Sequence, residues 1–146
     1  MILAGPAESD AAGRALATVL RTGDVIALSG DLGAGKTSLA RGLLAGLGLV
    51  EDAPSPSFAI VIPYDPPEVR LAVWHVDLYR LDDPDEIEEL GLDEALVHGA
   101  LVIEWPERMG ARLWPEALRL HLEPEGSGRR LTVTVPPSWE GRCPFQ

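Results

Sequence analysis

Cysteine is almost missing from this chain of 146 residues: its one thiol, Cys143, can close no internal disulfide and build no cysteine-based zinc site. Positive charge is also scarce. Twelve basic residues stand against 23 acidic ones, a net charge of −11, which argues against a large self-sufficient nucleic-acid surface built from clustered Lys and Arg. Work on an RNA held by a partner stays compatible with that balance. No apolar run approaches the length needed to cross a bilayer. The opening segment MILAGPAESD has neither a basic start nor a long apolar stretch, so no signal peptide is expected, and the expected location is cytoplasmic.

What remains is an ordinary globular composition, 46% hydrophobic and 24% charged, at a length that suits one domain. The pattern predicts a helix from a Ser9 cap to about Arg21, a buried strand at Val25–Leu28 and a helix over about Thr37–Leu47. Strands are expected at Phe58–Ile62 and Leu71–Val76, paired as a hairpin. Asp83-Pro84-Asp85-Glu86 reads as a helix start, with Gly91 as its stop and a second short helix over Asp93–Val97. Ala100–Ile103 is a continuous apolar strand. Leu118–Leu122 and Leu131–Val135 alternate, as a half-solvated hairpin at the sheet edge would. The expected fold is α/β: a P-loop NTPase-like three-layer sandwich, its central sheet mostly parallel with antiparallel edge strands. One domain is expected over residues 1–136, with 137–146 as a proline-containing tail.

Gly30-Asp31-Leu32-Gly33-Ala34-Gly35-Lys36-Thr37 fits the phosphate-binding pattern G-x-x-x-x-G-K-[ST]. Glycines let the backbone curl so that several N–H groups face one anion, and the following helix aims its positive end at the same place. Lys36 would reach the β- and γ-phosphates from an exposed loop, and the Thr37 hydroxyl suits Mg²⁺. Lys36 is also the only lysine, against eleven arginines. A guanine-reading N-K-x-D segment therefore cannot exist, which favours ATP over GTP.

Such a site needs a carboxylate near the metal, at the end of a neighbouring strand. Asp77 follows one strand and Glu104 another; Glu104, after the more continuous apolar run, is the metal candidate, and Asp77 could orient water or hold a loop. Ser55 and Ser57 put hydroxyls on a proline loop where a γ-phosphate sensor commonly sits. Trp105-Pro106 is a rigid aromatic step that could move with nucleotide state, dock a partner or simply pack at the surface. His75, His98 and His121 lack metal-ligand spacing and read as structural or surface residues. Arg129-Arg130 in the hairpin reads as structural. The stretch Asp82–Glu94 holds eight carboxylates and no base, and reads as a solvated helix face before a partner-docking one.

GDLGAGKT, SPSF, HVDLYRL and VIEWPE, in this order, resemble the TsaE (formerly YjeE) family of small bacterial P-loop ATPases, over about Ser9 to Glu107. The resemblance implies a weak Mg²⁺-dependent ATPase that works with the proteins TsaD and TsaB in forming threonylcarbamoyladenosine next to the anticodon of tRNA. It implies that the transfer chemistry belongs to TsaD and that tRNA is met only through the complex. Carried over by residue, it gives Gly33, Ala34, Gly35, Lys36, Thr37 and Ser38 to ATP, Thr37 and Glu104 to Mg²⁺, and activity-linked positions to Asp77 and Trp105. The family's S-P-T-[FY] loop is Ser55-Pro56-Ser57-Phe58 here, with serine in place of threonine, and Ser57 keeps a switch role. The rival readings are a small-metabolite kinase and a nucleotide-gated binding protein with negligible hydrolysis.

Overall fold

Apolar runs at the centre of the chain become the centre of the sheet. The computed structural model describes residues 1–31, 35–51, 53–54 and 60–145. Within them, β1 is Ile2–Leu3, α1 Pro6–Ala17, β2 Val25–Ser29, α2 Lys36–Gly46, β3 Val61–Tyr64 and β4 Val73–Asp77. Then follow α3 at Leu92–His98, β5 at Ala100–Glu104, β6 at Leu118–Glu125 and β7 at Gly128–Thr134. Short 3₁₀ segments occupy Pro84–Leu90, Pro106–Arg112 and Pro137–Trp139.

The strands form one seven-stranded sheet in the order β1-β7-β6-β2-β5-β4-β3. β6, β2, β5 and β4 run parallel, and the antiparallel pairings β3–β4, β6–β7 and β7–β1 lie outside them. β5 is buried at every position, as a central parallel strand covered on both faces should be. α1 and α2 cover one face through Leu16, Leu39 and Leu43, packed on Ile26, Leu28 and Leu120. α3 and the two longer 3₁₀ segments cover the other through Ile87, Leu92 and Met109, against Ala27, Val76 and Ile103. The result is the expected three-layer α/β arrangement.

The two covering helices touch backbone to backbone. A Cβ on Gly13 would fall on the Leu39 carbonyl oxygen, and one on Gly42 on the Asp10 carbonyl oxygen. Only glycine fits at those crossings.

Four expectations need correction. α1 begins at Pro6, capped by Gly5, because proline suits a first helical position and has no N–H to satisfy; Ser9 lies a turn inside and is buried. The Glu8 carboxylate accepts from the Ala4 N–H at 2.7 Å and closes that first turn. The β6–β7 hairpin alternates as expected, but β6 pairs in parallel with β2 and the two-residue β1 supplies the edge. β3 starts at Val61; Phe58 and Ala59 lie outside the described residues.

The fourth concerns the expected tail. The prolines at 136 and 137 start a 3₁₀ turn that inserts Trp139 into the core at 0% exposure. Arg142 then forks onto Asp24 at 2.6 and 2.7 Å and donates to the Val19 carbonyl at 2.8 Å. Proline presets the turn here, and buried tryptophan area holds the segment down.

Candidate nucleotide-binding site

The site forms where β2 hands over to α2. Gly35 has φ 100°, a left-handed conformation that glycine adopts without strain, and it caps α2. Gly33 and Ala34, and the Ser55 and Ser57 loop, lie outside the described residues. Gly35, Lys36, Thr37 and Ser38 line one wall of an open cleft of about 320 Å³, a volume within the range of small-ligand pockets. The start of α1, with Gly5, Pro6 and Ser9, lines the cleft as well, so two helix N-termini open onto the same space. Anions are favoured at both.

The opposite wall comes from strand ends. Asp77 closes β4 and Glu104 closes β5, and the two are register partners across the parallel ladder. Both carboxylates are buried, as is Lys36. Glu104 Oε1 accepts from the Thr37 hydroxyl at 3.4 Å, and Oε2 lies 2.7 Å from His75 Nε2. Asp77 Oδ1 accepts from the Tyr79 N–H at 2.9 Å, which turns the chain sharply after the strand. Asp77 and Glu104, far from the adjacent Lys36 and Thr37 in sequence, therefore meet them in one cleft.

Lys36 is not on an exposed loop. It is the first residue of α2 and 4% exposed. Its Nζ donates to the Gly30 carbonyl at 2.6 Å and sits 3.6 Å from the centre of the Trp105 ring. Trp105 reaches it because its own backbone is left-handed, φ 62°, at the exit of β5. Tyr79 also packs against the indole, ring centres 4.8 Å apart. Burial pushes the Lys36 ammonium below the ordinary lysine value of 10.5, against the opposing pull of Glu104, Glu107, Asp77 and Asp31. A polyphosphate would supply the compensation that the apolar indole does not.

The donor set fits Mg²⁺. A hydroxyl and carboxylates are hard oxygen ligands, and Mg²⁺ takes only one or two protein groups when phosphates and water complete its shell. Two ligands on adjacent octahedral corners stand about 3 Å apart, near the 3.4 Å between the Thr37 and Glu104 oxygens.

Two residues play parts that the sequence reading does not give them. Arg129, expected to be structural in its hairpin, lines the cleft, with its Cγ 3.8 Å from where a Cβ on Gly35 would stand. His75, expected to be structural, touches the candidate metal carboxylate. Strand alternation carries that second signal, because residues 75 and 77 of one strand face the same side. Nothing local in the sequence signals Arg129.

A family model described as "Threonylcarbamoyl adenosine biosynthesis protein TsaE" matches residues 3–131. The tRNA threonylcarbamoyladenosine biosynthesis protein TsaE of Streptomyces coelicolor is 44% identical over 76% of this chain and 76% of its own length. Its Bacillus subtilis namesake is 36% identical over 89% of this chain and 81% of its own. The crystal structure of Bacillus subtilis YdiB superposes with a TM-score of 0.77 at 31% identity, covering 92% of this chain and 82% of that one.

Proposed function

Because the chain belongs to the TsaE family of threonylcarbamoyl adenosine biosynthesis proteins, we propose that it binds Mg·ATP and hydrolyses it slowly as one subunit of a tRNA-modifying assembly. TsaD and TsaB are its partners in this reading, the modified adenosine lies next to the anticodon, and the work is done in the cytoplasm. The threonylcarbamoyl transfer itself is not carried out by this chain, and tRNA is met through the complex.

The observation that carries the reading is the convergence of Lys36, Thr37, Asp77 and Glu104 on one cleft beneath two helix N-termini. Gly33 to Ser38 cradle the phosphates, with Lys36 as the positive charge. Thr37 and Glu104 hold Mg²⁺, which when bound offsets charge on the phosphate oxygens. Asp77, buried at the adjoining strand end, orients the attacking water. Ser55, Ser57 and Trp105 are the switch and partner candidates. The Lys36 Nζ that would meet a phosphate also contacts the Trp105 ring, so nucleotide binding and the position of Trp105 are coupled. That coupling suits a slow enzyme whose site a partner completes.

Phosphate release from Mg·ATP, by the chain alone and with TsaD and TsaB added, tests this. Slow release that rises with both partners and vanishes in Lys36→Met supports the reading. Release indifferent to the partners removes the assembly role, a phosphorylated metabolite points to a kinase, and ATP bound but left intact points to a pure switch.

A further inference from the structure

His75 sits at the middle of β4, 1% exposed, between Val73 and Asp77 on the same face of the strand. Its Nε2 lies 2.7 Å from Glu104 Oε2. An ionised carboxylate only accepts, so Nε2 carries the proton and donates it. Nδ1 is buried with no hydrogen-bond partner among the described residues. An aliphatic residue at this position would avoid that desolvation cost. The histidine earns its place through Glu104, whose other oxygen is the one that faces Thr37 at 3.4 Å.

We infer that His75 is a positioning residue for the metal-binding carboxylate: its Nε2–H pins one oxygen of Glu104, and this aims the other toward Thr37 and the Mg²⁺ of a bound nucleotide. The inference rests on the Mg·nucleotide reading and names a residue which that reading did not contain. Rotation about the terminal bond of a glutamate is soft, so an unpinned carboxylate would sample many orientations. Losing the hydrogen bond that orients a metal ligand typically lowers metal affinity by about 10- to 100-fold, and that is the size of effect expected here.

The test is the calorimetric affinity for ADP, measured with saturating Mg²⁺ and again in EDTA. The ratio of the two isolates what the metal adds. His75→Leu fills the space without a donor, His75→Asn keeps an amide too short to reach Glu104, and His75→Gln carries a donor near the original Nε2. The folded Leu and Asn variants should bind metal-free ADP as the wild type does and lose tenfold or more of the Mg²⁺ enhancement. Gln should restore most of it. If the Leu variant fails to fold, the Asn and Gln pair decides. A Leu or Asn variant with the wild-type Mg²⁺ ratio, or a Gln variant as impaired as they are, overturns the positioning role and leaves His75 as core filling. Wild-type protein that binds no ADP, or binds it without regard to Mg²⁺, brings down the nucleotide reading itself.

Discussion

Strand β2 has a largely buried charged cluster beyond each of its ends, and the two are built in opposite ways. At the start, Asp24 receives both arms of the Arg142 guanidinium and the Arg21 N–H, and Arg142 lies over Trp139, 3.9 Å from the ring centre. A planar fork meets a planar carboxylate, and the charges are matched inside the protein. At the far end, among the described residues, the Lys36 ammonium meets an indole and a carbonyl, while Glu104 contacts Thr37 and His75 and Asp77 accepts from the Tyr79 N–H. One cluster is closed and holds the fold; the other opens onto the cleft.

Breaking the closed cluster should have the largest effect. Arg142→Ala leaves Asp24 buried without its counter-ion and uncovers Trp139, and it should cost about 3–5 kcal/mol in chemical denaturation. Nucleotide affinity per folded molecule should not change. A loss below about 1 kcal/mol would mean that the pair is as dispensable as a surface bridge.

At the open end the order reverses. Glu104→Gln keeps an acceptor for His75 but removes the charge that Mg²⁺ needs. The metal-dependent part of ADP affinity should fall about tenfold or more, with the melting temperature nearly unchanged. An unaltered metal dependence would move the metal role to Asp77.

The smallest effect should be a gain. Lys36→Met removes a buried ammonium, so the apo protein should melt about 2–4 °C higher while losing phosphate binding. The sign follows from linkage. The folded-state pKa of Lys36 lies below 10.5, so the unfolded chain binds more protons in the alkaline window beneath that value. Stability therefore rises with pH through this window as the folded-state lysine loses its proton. The methionine variant should lack that part of the rise, seen as a difference between two melting curves against pH. Parallel curves would mean that the ammonium is not penalised.

Much of the open cluster is legible in the order of residues alone. The candidate phosphate loop is visible as a pattern because the proposed chemistry needs glycine, lysine and threonine at fixed spacing. The rule that such sites draw acids from strand ends picks out Glu104 and Asp77, and the fold places both in the cleft with Lys36 and Thr37. The buried state of Lys36 is not legible, since it depends on a left-handed backbone at Trp105, a residue type with no preference for that conformation. Nor is the Asp24–Arg142 pair, which joins positions separated by 118 residues through a segment whose prolines suggest an untied end. β1 is two residues long, too short to show any periodicity. Local pattern reports local geometry; pairings across the chain are set by which apolar faces must be covered.

The glycine crossings between α1 and α2 have a mechanical consequence. Where side chains separate two helices, a small displacement of one is absorbed by rotamer changes. At Gly13 and Gly42 no side chain lies between the two backbones, so the contact transmits force as a solid joint does. The helices advance side by side, Gly13 against Leu39 and Ala17 against Gly46. α2 begins at Lys36 and α1 at Pro6, on two walls of one cleft. An anion that drew on the start of α2 would carry α1 along as one body, and the pair would advance together toward the strand-end carboxylates.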